Sequence, residues 1–439
     1  MKPLIAFFEL FFDPLYRGPL LGTILMSFST ALIGAFMFVR KKSLVGETIS
    51  HATFPGVAIG VLVGSYFSYH QDELGFLSVI LGAFVFGLLG FYSVELMIKN
   101  QKKTDSALCF VLSSFLSLGV LLTSYVQQTH VSWYRKIQVF FSGQSATMTD
   151  FHVWIYASLS IATLILVFVY FRGIGLISFD PSYAKSLGLK TKGIEHMIIF
   201  LFVTSIVVGI RSVGIVLITG MLLSPSIAAR GFTKKFSSFV FLASLLGLIV
   251  SAFANYISLF EIEAIGHKSI PAGPLSVVIA SFVAVLSLIF SPIHGTFFTL
   301  LRRWKYQRSC IEENILKFLW KSSESKVSFL AIREKNLADL MILCYSLYRL
   351  MRQGFIVKES SLFSLTHDGK KKADYIIRLH RLWELYLIEF LSSEIEKVHK
   401  SAEEIEHLIT PSLEKKLTEV LLNPGQDPHH QPIPPKDYL

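Results

Sequence analysis

The chain has 439 residues, 52% of them hydrophobic, and a mean hydropathy of +0.55. That is too apolar for an ordinary soluble protein of this length. A formal charge of +10 admits a nucleic-acid partner, but basic loops beside a membrane account for much of it. Cys109, Cys310 and Cys344 lack any motif spacing, so no disulfide framework is implied.

The first segment, MKPLIAFFELFFDPLYRG, is interrupted by Glu9, Asp13 and Pro14 and reads as interfacial rather than as a signal peptide. From Leu20 to Pro292, apolar stretches of about 20 residues, long enough to cross a bilayer, follow one another. Nine spans are expected, near 20–39, 44–66, 74–98, 106–127, 151–171, 194–210, 213–229, 236–257 and 271–291. The 194–229 stretch is interrupted by Gly209, Arg211 and Gly214 and could instead be a re-entrant pair. On the nine-span map, the basic clusters at Arg40–Lys42, Lys99–Lys103, Arg172–Lys192, Arg230–Lys235 and Arg302–Lys305 fall on one side. The positive-inside rule makes that side cytoplasmic, with the N-terminus outside and the C-terminal region inside. Arg135 and Lys136 are the exception, in an outer interfacial segment.

Within the second span, GETISHATFPG places Glu47 and His51 four residues apart, on one helix face. Charged groups inside a span cost about 2.5–3.5 kcal/mol each on insertion scales. Pro55-Gly56 just beyond invites a broken helix, and broken helices with paired polar groups mark ion pathways. The plainer reading is an interfacial pair beside Arg40–Lys42.

After Arg302 the composition becomes charged and soluble. An amphipathic run from Glu312 to Trp320 precedes helical segments at 328–335 and 337–353, the second ended by Gly354. FIVKESSLFSLT then reads as two strands turning at Ser360-Ser361. Helices with a two-stranded wing describe a winged helix-turn-helix. Two further helices, 367–392 and 400–422, carry His380 with Glu384, then His399, Glu403, Glu406 and His407. Spacings of three and four align each run on one face, and converging carboxylate and imidazole suit a divalent transition metal. Either run alone could arise by chance on a solvated helix; two runs on adjacent helices make chance a poor explanation. The tail NPGQDPHHQPIPPKDYL is proline-rich and should lack regular structure.

KSLVGETISHATFPGVAIG resembles the motif of integral-membrane permeases of bacterial ABC importers for manganese, zinc and iron, a Gly-acid-x-x-Ser-His followed by Pro-Gly. DPSYAKSLGLK (180–190) is similar to the Asp-x-x-x-Ala-x-x-x-Gly segment that docks on the ATPase, and GIVLITGMLLSPSIAAR (214–230) to a late core helix of the family. The resemblance covers roughly 15–295. It implies that Glu47, where aspartate is more usual, and His51 are transient ligands for the ion in passage. It also assigns Asp180, Ala184 and Gly188 to the coupling segment. No G-x-x-x-x-G-K-[ST] loop occurs in the sequence, so the chain is read as no enzyme, with ATP hydrolysed by a separate ABC ATPase subunit. An extracytoplasmic metal-binding protein and a second permease chain are further implied partners.

LTHDGKKKADYIIRLHRLWELYLIEFL (365–391), KVHKSAEEIEHLITPSLEKKL (397–417) and NPGQDPHHQPIPP (423–435) resemble the diphtheria toxin repressor family, metal-dependent DNA-binding regulators of iron or manganese uptake. The resemblance implies one metal site at His380, Glu384 and His399, and a primary site at Glu403, Glu406 and His407 with Glu313. A set of oxygen and imidazole donors suits Mn(II) or Fe(II) better than zinc. Leu316 stands where the manganese branch can carry a further carboxylate. The resemblance also implies a dimer that binds operator DNA. In the unusually apolar recognition segment, Tyr345, Ser346 and Arg349 are the candidates for base contact, and Arg352 and Lys358 for phosphate contact. The family-like setting of His429 and His430 reads as a structural tail rather than extra ligands.

The expected architecture is therefore an all-α polytopic permease domain (1–300), a linker (301–311), a winged helix-turn-helix (312–366) and a metal-binding and dimerisation domain (367–439). The chain reads as a metal importer permease of the bacterial inner membrane fused to a cytosolic metal-responsive repressor. The rival reading makes the C-terminal domain a metal-sensing gate that never touches DNA. A secondary transporter is disfavoured by the coupling segment. Proteolysis near 297–311 would release a soluble repressor of about 130 residues, within the usual range for a domain.

Overall fold

A computed structural model of the chain describes residues 11–67, 72–100, 102–129, 131–260, 271–322, 326–336, 339–391, 398, 402–403 and 405–435. It forms two compact units, Met1–Phe298 and Thr299–Leu439.

The first unit is helical: α1 (Pro14–Val39), α2 (Ser43–Phe67), α3 (Asp72–Lys99), α4 (Thr104–Thr129), α5 (Val131–Ser142), α6 (Asp150–Phe179), α7 (Pro181–Ser186), α8 (Thr191–Val213), α9 (Ile218–Arg230), α10 (Phe236–Phe260) and α11 (Ala272–Phe290). Each of the nine expected apolar segments is a helix. Among the described residues, seven helices are long and apolar enough to cross a membrane: α1, α3, α4, α6, α8, α10 and α11. The other two, α2 and α9, fall short for different reasons. Helix α2 has 25 residues, about 37 Å of length, but carries Glu47, His51 and several small polar residues. Helix α9 has 13 residues, about 20 Å against a hydrocarbon core of about 30 Å.

Helix α1 is the hub of this unit, packed against α6, α8, α9 and α10 and burying Ala31, Ala35, Phe36 and Met37. Helices α3, α4 and α6 instead leave broad apolar faces outward, with Leu121 69% and Phe168 83% exposed, as lipid-facing surfaces do. Helices α2 and α3 pack together most extensively. Gly56, Gly60 and Gly64 form a stripe of one helical turn each, and a Cβ at Gly56 would stand 2.1 Å from the carbonyl oxygen of Gly82. Small residues at this spacing let two backbones touch. Pro55 does not break α2 as expected; the helix runs through it, although the missing N–H leaves the carbonyl of His51 without its helical donor. Helix α9 runs parallel to α11: Ser224 Oγ lies 3.3 Å from Ser281 Oγ, and Ser287 Oγ donates to the carbonyl of Ala228 at 2.7 Å.

The second unit comprises most of α12 (Thr296–Lys321), then β1 (Val327–Ser328), α13 (Phe329–Asn336), α14 (Leu340–Arg352), β2 (Ile356–Glu359), β3 (Leu362–Leu365), α15 (His367–Leu391), a 3₁₀ turn (Glu406–Leu408) and α16 (Pro411–Val420). The expected hairpin is present as β2–β3, turning at Ser360 with φ +57°. Two-residue β1 adds a third antiparallel strand, in the order β1-β3-β2. Ile315, Ile332, Leu343, Leu347, Leu350, Ile356 and Phe363 form one core from the three helices and the sheet. A smaller cluster joins Leu382 of α15 to Leu421 and Ile433.

Two expectations need correction here. Residues 301–311 are not a linker but the interior of α12. The expected helix at 400–422 is divided: Thr410 adopts an extended conformation and caps α16, whose first residue is Pro411. A residue before proline is driven out of the helical region, and proline suits the first turn. The described residues of the tail form no helix or named strand, as expected, yet they are held in place: Arg378 donates to the carbonyl of Pro434 at 2.8 Å, Arg381 donates to that of Pro432, and Ile433 is buried.

Candidate functional site

On α2, Glu47 is exposed and His51 half-buried, with its Nδ1 shielded from solvent and lacking a hydrogen-bond partner. The helix brings the two residues to one face as their spacing requires. Among the described residues, no group of three or more His, Cys, Asp or Glu is arranged to hold a metal ion, here or elsewhere.

The 180–190 segment folds into a capped short helix. The Asp180 carboxylate accepts from the backbone N–H groups of Ser182 and Tyr183 at 3.0 and 2.9 Å. Ala184 is fully buried, and Gly188 ends the turn at φ +78°, where a side chain would be strained. These roles explain the Asp, Ala and Gly of the motif. The same fold presents Phe179, Tyr183 and Leu187 to the exterior, each more than half exposed, beside a groove lined by Phe171 and Phe236.

In the second unit, α12, α15 and the 402–408 segment converge on a buried polar cluster. His380 lies between two carboxylates: its Nε2 is 3.0 Å from Glu384, and its Nδ1 is hydrogen-bonded to Glu406. Lys317 of α12 completes the cluster. Its ammonium lies 3.0 and 2.9 Å from the two oxygens of Glu406, 3.2 Å from Nδ1 of His380 and 4.0 Å from Glu403. Burial alone would depress the His380 imidazolium, but the hydrogen bonds to Glu384 and Glu406 outweigh it and hold the pKa above the usual histidine value. Burial would raise Glu406, but His380 and Lys317 carry it below the usual glutamate value. Beside this corner, His407 Nδ1 lies 2.6 Å from Glu313 and His407 Nε2 3.8 Å from Glu406. Glu403 is exposed, and His399 lies outside the described residues.

The structure thus brings together Glu313, His380, Glu384, Glu406 and His407, with Glu403 at the edge. As a donor set, carboxylate and imidazole fit a divalent ion of intermediate hardness. As arranged, the donors pair with one another and with Lys317. That lysine was missed by sequence reasoning, although its position one turn after Glu313 on the same face was the available signal.

The recognition segment needs a further correction. Ser346 is fully buried in the α14 face that packs on the core, so it is not placed to reach a base. Tyr345 packs on Trp304 of α12 at a centroid distance of 5.7 Å, with the Arg308 guanidinium 5.2 Å from the Trp304 ring and 5.9 Å from Tyr345. Arg349 is 3.7 Å from Glu312, which also pairs with Arg308 at 3.3 Å. Arg352 and Lys358 are exposed, at the end of α14 and in β2. Met341 and Tyr348 are the large apolar side chains most exposed on α14, at 79% and 58%.

Known proteins resemble the two units separately and together. Residues 13–291 match the ABC 3 transport family, and residues 366–435 match the iron dependent repressor, metal binding and dimerisation domain. A probable metal transport system membrane protein of Chlamydia pneumoniae is 34% identical over 97% of this chain and 98% of its own length. A manganese transport system membrane protein of Bacillus subtilis is 28% identical over 84% of this chain and 83% of its own. A zinc transport system membrane protein of Treponema pallidum is 29% identical over 68% of this chain and 96% of its own. Among solved structures, PsaBC from Streptococcus pneumoniae in complex with Fab matches with a TM-score of 0.56 and 25% identity, over 66% of this chain and 97% of that one. The chain belongs to the ABC 3 transport family and carries an iron dependent repressor metal-binding and dimerisation domain at its C-terminal end.

Proposed function

We propose that the chain is the membrane permease subunit of an ATP-driven importer of a divalent transition metal, manganese or iron before zinc, fused to a metal-responsive DNA-binding regulator. The observation that carries the fusion is the carboxylate–imidazole cluster of Glu313, His380, Glu384, Glu406 and His407, built between the first helix of the C-terminal unit and its metal-binding segment. Glu403 and His399 belong to the same proposed ligand set. The absence of thiolate among these residues favours Mn(II) or Fe(II).

Glu47 and His51 are the proposed transport ligands. Asp180, Ala184 and Gly188 shape the surface that docks a separate ABC ATPase, with the exposed Phe179 and Tyr183 beside it. An extracytoplasmic metal-binding protein and a second permease chain complete the transporter. A nine-crossing map runs α9 in the same direction as α11, in keeping with their parallel packing, although the 13 residues of α9 cover only about 20 Å. With the basic loops inside, the C-terminal unit is cytosolic and the membrane is the bacterial inner membrane.

The hairpin next to α14 supports a winged helix-turn-helix, with Arg352 and Lys358 free of the core to meet phosphate. A second reading, a metal-sensing gate that does not bind DNA, is favoured by one specific observation: Tyr345 and Arg349 are engaged by Trp304, Arg308 and Glu312 of α12. A gel-shift with the Thr299–Leu439 unit, which keeps Trp304 and Arg308, with and without Mn(II) or Fe(II), separates the two. Metal-dependent retardation of DNA from the chain's own promoter region supports the regulator. No retardation at any metal concentration, together with metal-dependent arrest of uptake by the full chain, supports the gate.

A further inference from the structure

We infer that Lys317 is a tethered counter-cation for the sensor cluster, and that a divalent metal reaches the Glu406–His380 corner only by displacing its ammonium. Lys317 thereby sets how much metal the domain requires before it loads. The inference rests on the sensor reading above and adds a residue that no ligand assignment contains.

Lys317 is 6% exposed, and a lysine is almost never that buried unless it is paired. Its pairing is specific. The ammonium contacts both oxygens of Glu406 and the Nδ1 of His380, the same atoms a metal at this corner would use. With Glu384 also buried, two carboxylates face Lys317 and the imidazole of His380, so the cluster is assembled around charges the chain supplies itself. A metal ion and the ammonium compete for the corner: their like charges repel, and both draw on the oxygens of Glu406 and the Nδ1 of His380. Removal of a buried counter-ion is costly for the partner left behind, so exchange is a competition between two cations rather than entry into an open site. The competitor is on a leash. Glu403, at 4.0 Å from the ammonium and exposed, marks the direction in which a four-carbon stem can swing toward water. Apparent metal affinity is then the intrinsic affinity reduced by the fraction of molecules in which Lys317 has moved aside.

The test uses the full chain in detergent, with Glu47→Ala and His51→Ala in every sample so that the permease pair does not contribute. Free Mn(II) is followed by electron paramagnetic resonance during titration. Lys317→Met should bind Mn(II) at least tenfold more tightly than the parent, Lys317→Arg should not gain, and Glu406→Gln should lose the sites. Thermal unfolding in chelator supplies the second readout: Lys317→Met should lower the transition of the C-terminal unit, and Mn(II) should restore it. If Lys317→Met aggregates, Lys317→Gln takes its place with the same expectations. Equal or weaker binding by a well-folded variant overturns the inference while leaving the sensor reading intact. If parent and Glu406→Gln titrate identically, the sensor reading itself fails and the inference falls with it.

Discussion

Replacing Gly56 by alanine is the sharpest test of how the permease half holds the pair Glu47 and His51. The new Cβ would stand 2.1 Å from the carbonyl oxygen of Gly82, 2.5 Å from its carbon and 2.9 Å from the Cα of Ala83, all backbone atoms. Ordinary contact begins at 3.4 Å, so α2 and α3 must part by about 1.3 Å at this level, the difference between 3.4 and 2.1 Å. A backbone carbonyl inside a helix cannot rotate away as a side chain would. Overpacking of this kind costs about 1–3 kcal/mol, and the backbone clash places Gly56→Ala at the upper end. A loss of about 3 kcal/mol lowers a melting midpoint by about 6–12 °C for a unit of this size. Gly75, also on α3, is the control: a Cβ there meets nothing within 4 Å. Gly75→Ala should be neutral or gain about 0.5–1 kcal/mol, as glycine loses more freedom in a helix than alanine does. Both variants are purified in mild detergent, heated in steps and scored for monodisperse protein by size exclusion. Indistinguishable midpoints for the two would refute the close-packing argument.

Three further outcomes are expected. Glu47→Ala or His51→Ala should abolish uptake of radioactive Mn(II) at unchanged membrane insertion, and normal uptake by the double variant would remove them from the pathway. Glu406→Ala strands Lys317 without its buried partner and should destabilise the second unit by about 3–5 kcal/mol. Exposed Glu403→Ala should leave its melting nearly unchanged while weakening metal binding in calorimetry; equal destabilisation by both would mean that Glu403 is structural. For release of the soluble unit, an antibody against the C-terminus should detect a small cytosolic species beside full-length membrane protein. Because residues 301–311 lie inside α12, cutting there requires local unfolding of that helix, and a blot with only the membrane species would move the gate ahead.

Hydrophobic run length is a local property, so the nine apolar segments were legible in the sequence and each is a helix. Turn chemistry is equally local, and the Ser360 turn produced the expected hairpin. Motif spacing named the donor types at His380, Glu384, Glu406 and His407, and the family resemblance added Glu313, before their convergence was visible. The break at Thr410-Pro411 had a sequence signal, the residue before proline, that the 3.6-residue stripe overrode. Ser346 lies on the same stripe as Leu343, Leu347 and Leu350, a helical spacing that already pointed it at the core and that its hydroxyl made easy to pass over. Other features depended on tertiary structure alone. The engagement of Tyr345 and Arg349 by α12 required that helix to extend back to Thr296, through a basic stretch whose composition suggested a linker. Lys317 had no role in the sequence reading. Whether a lysine faces water or neutralises a buried carboxylate depends on which helices close over it, and that is decided by contacts far apart in the chain, such as the 89 residues between Lys317 and Glu406.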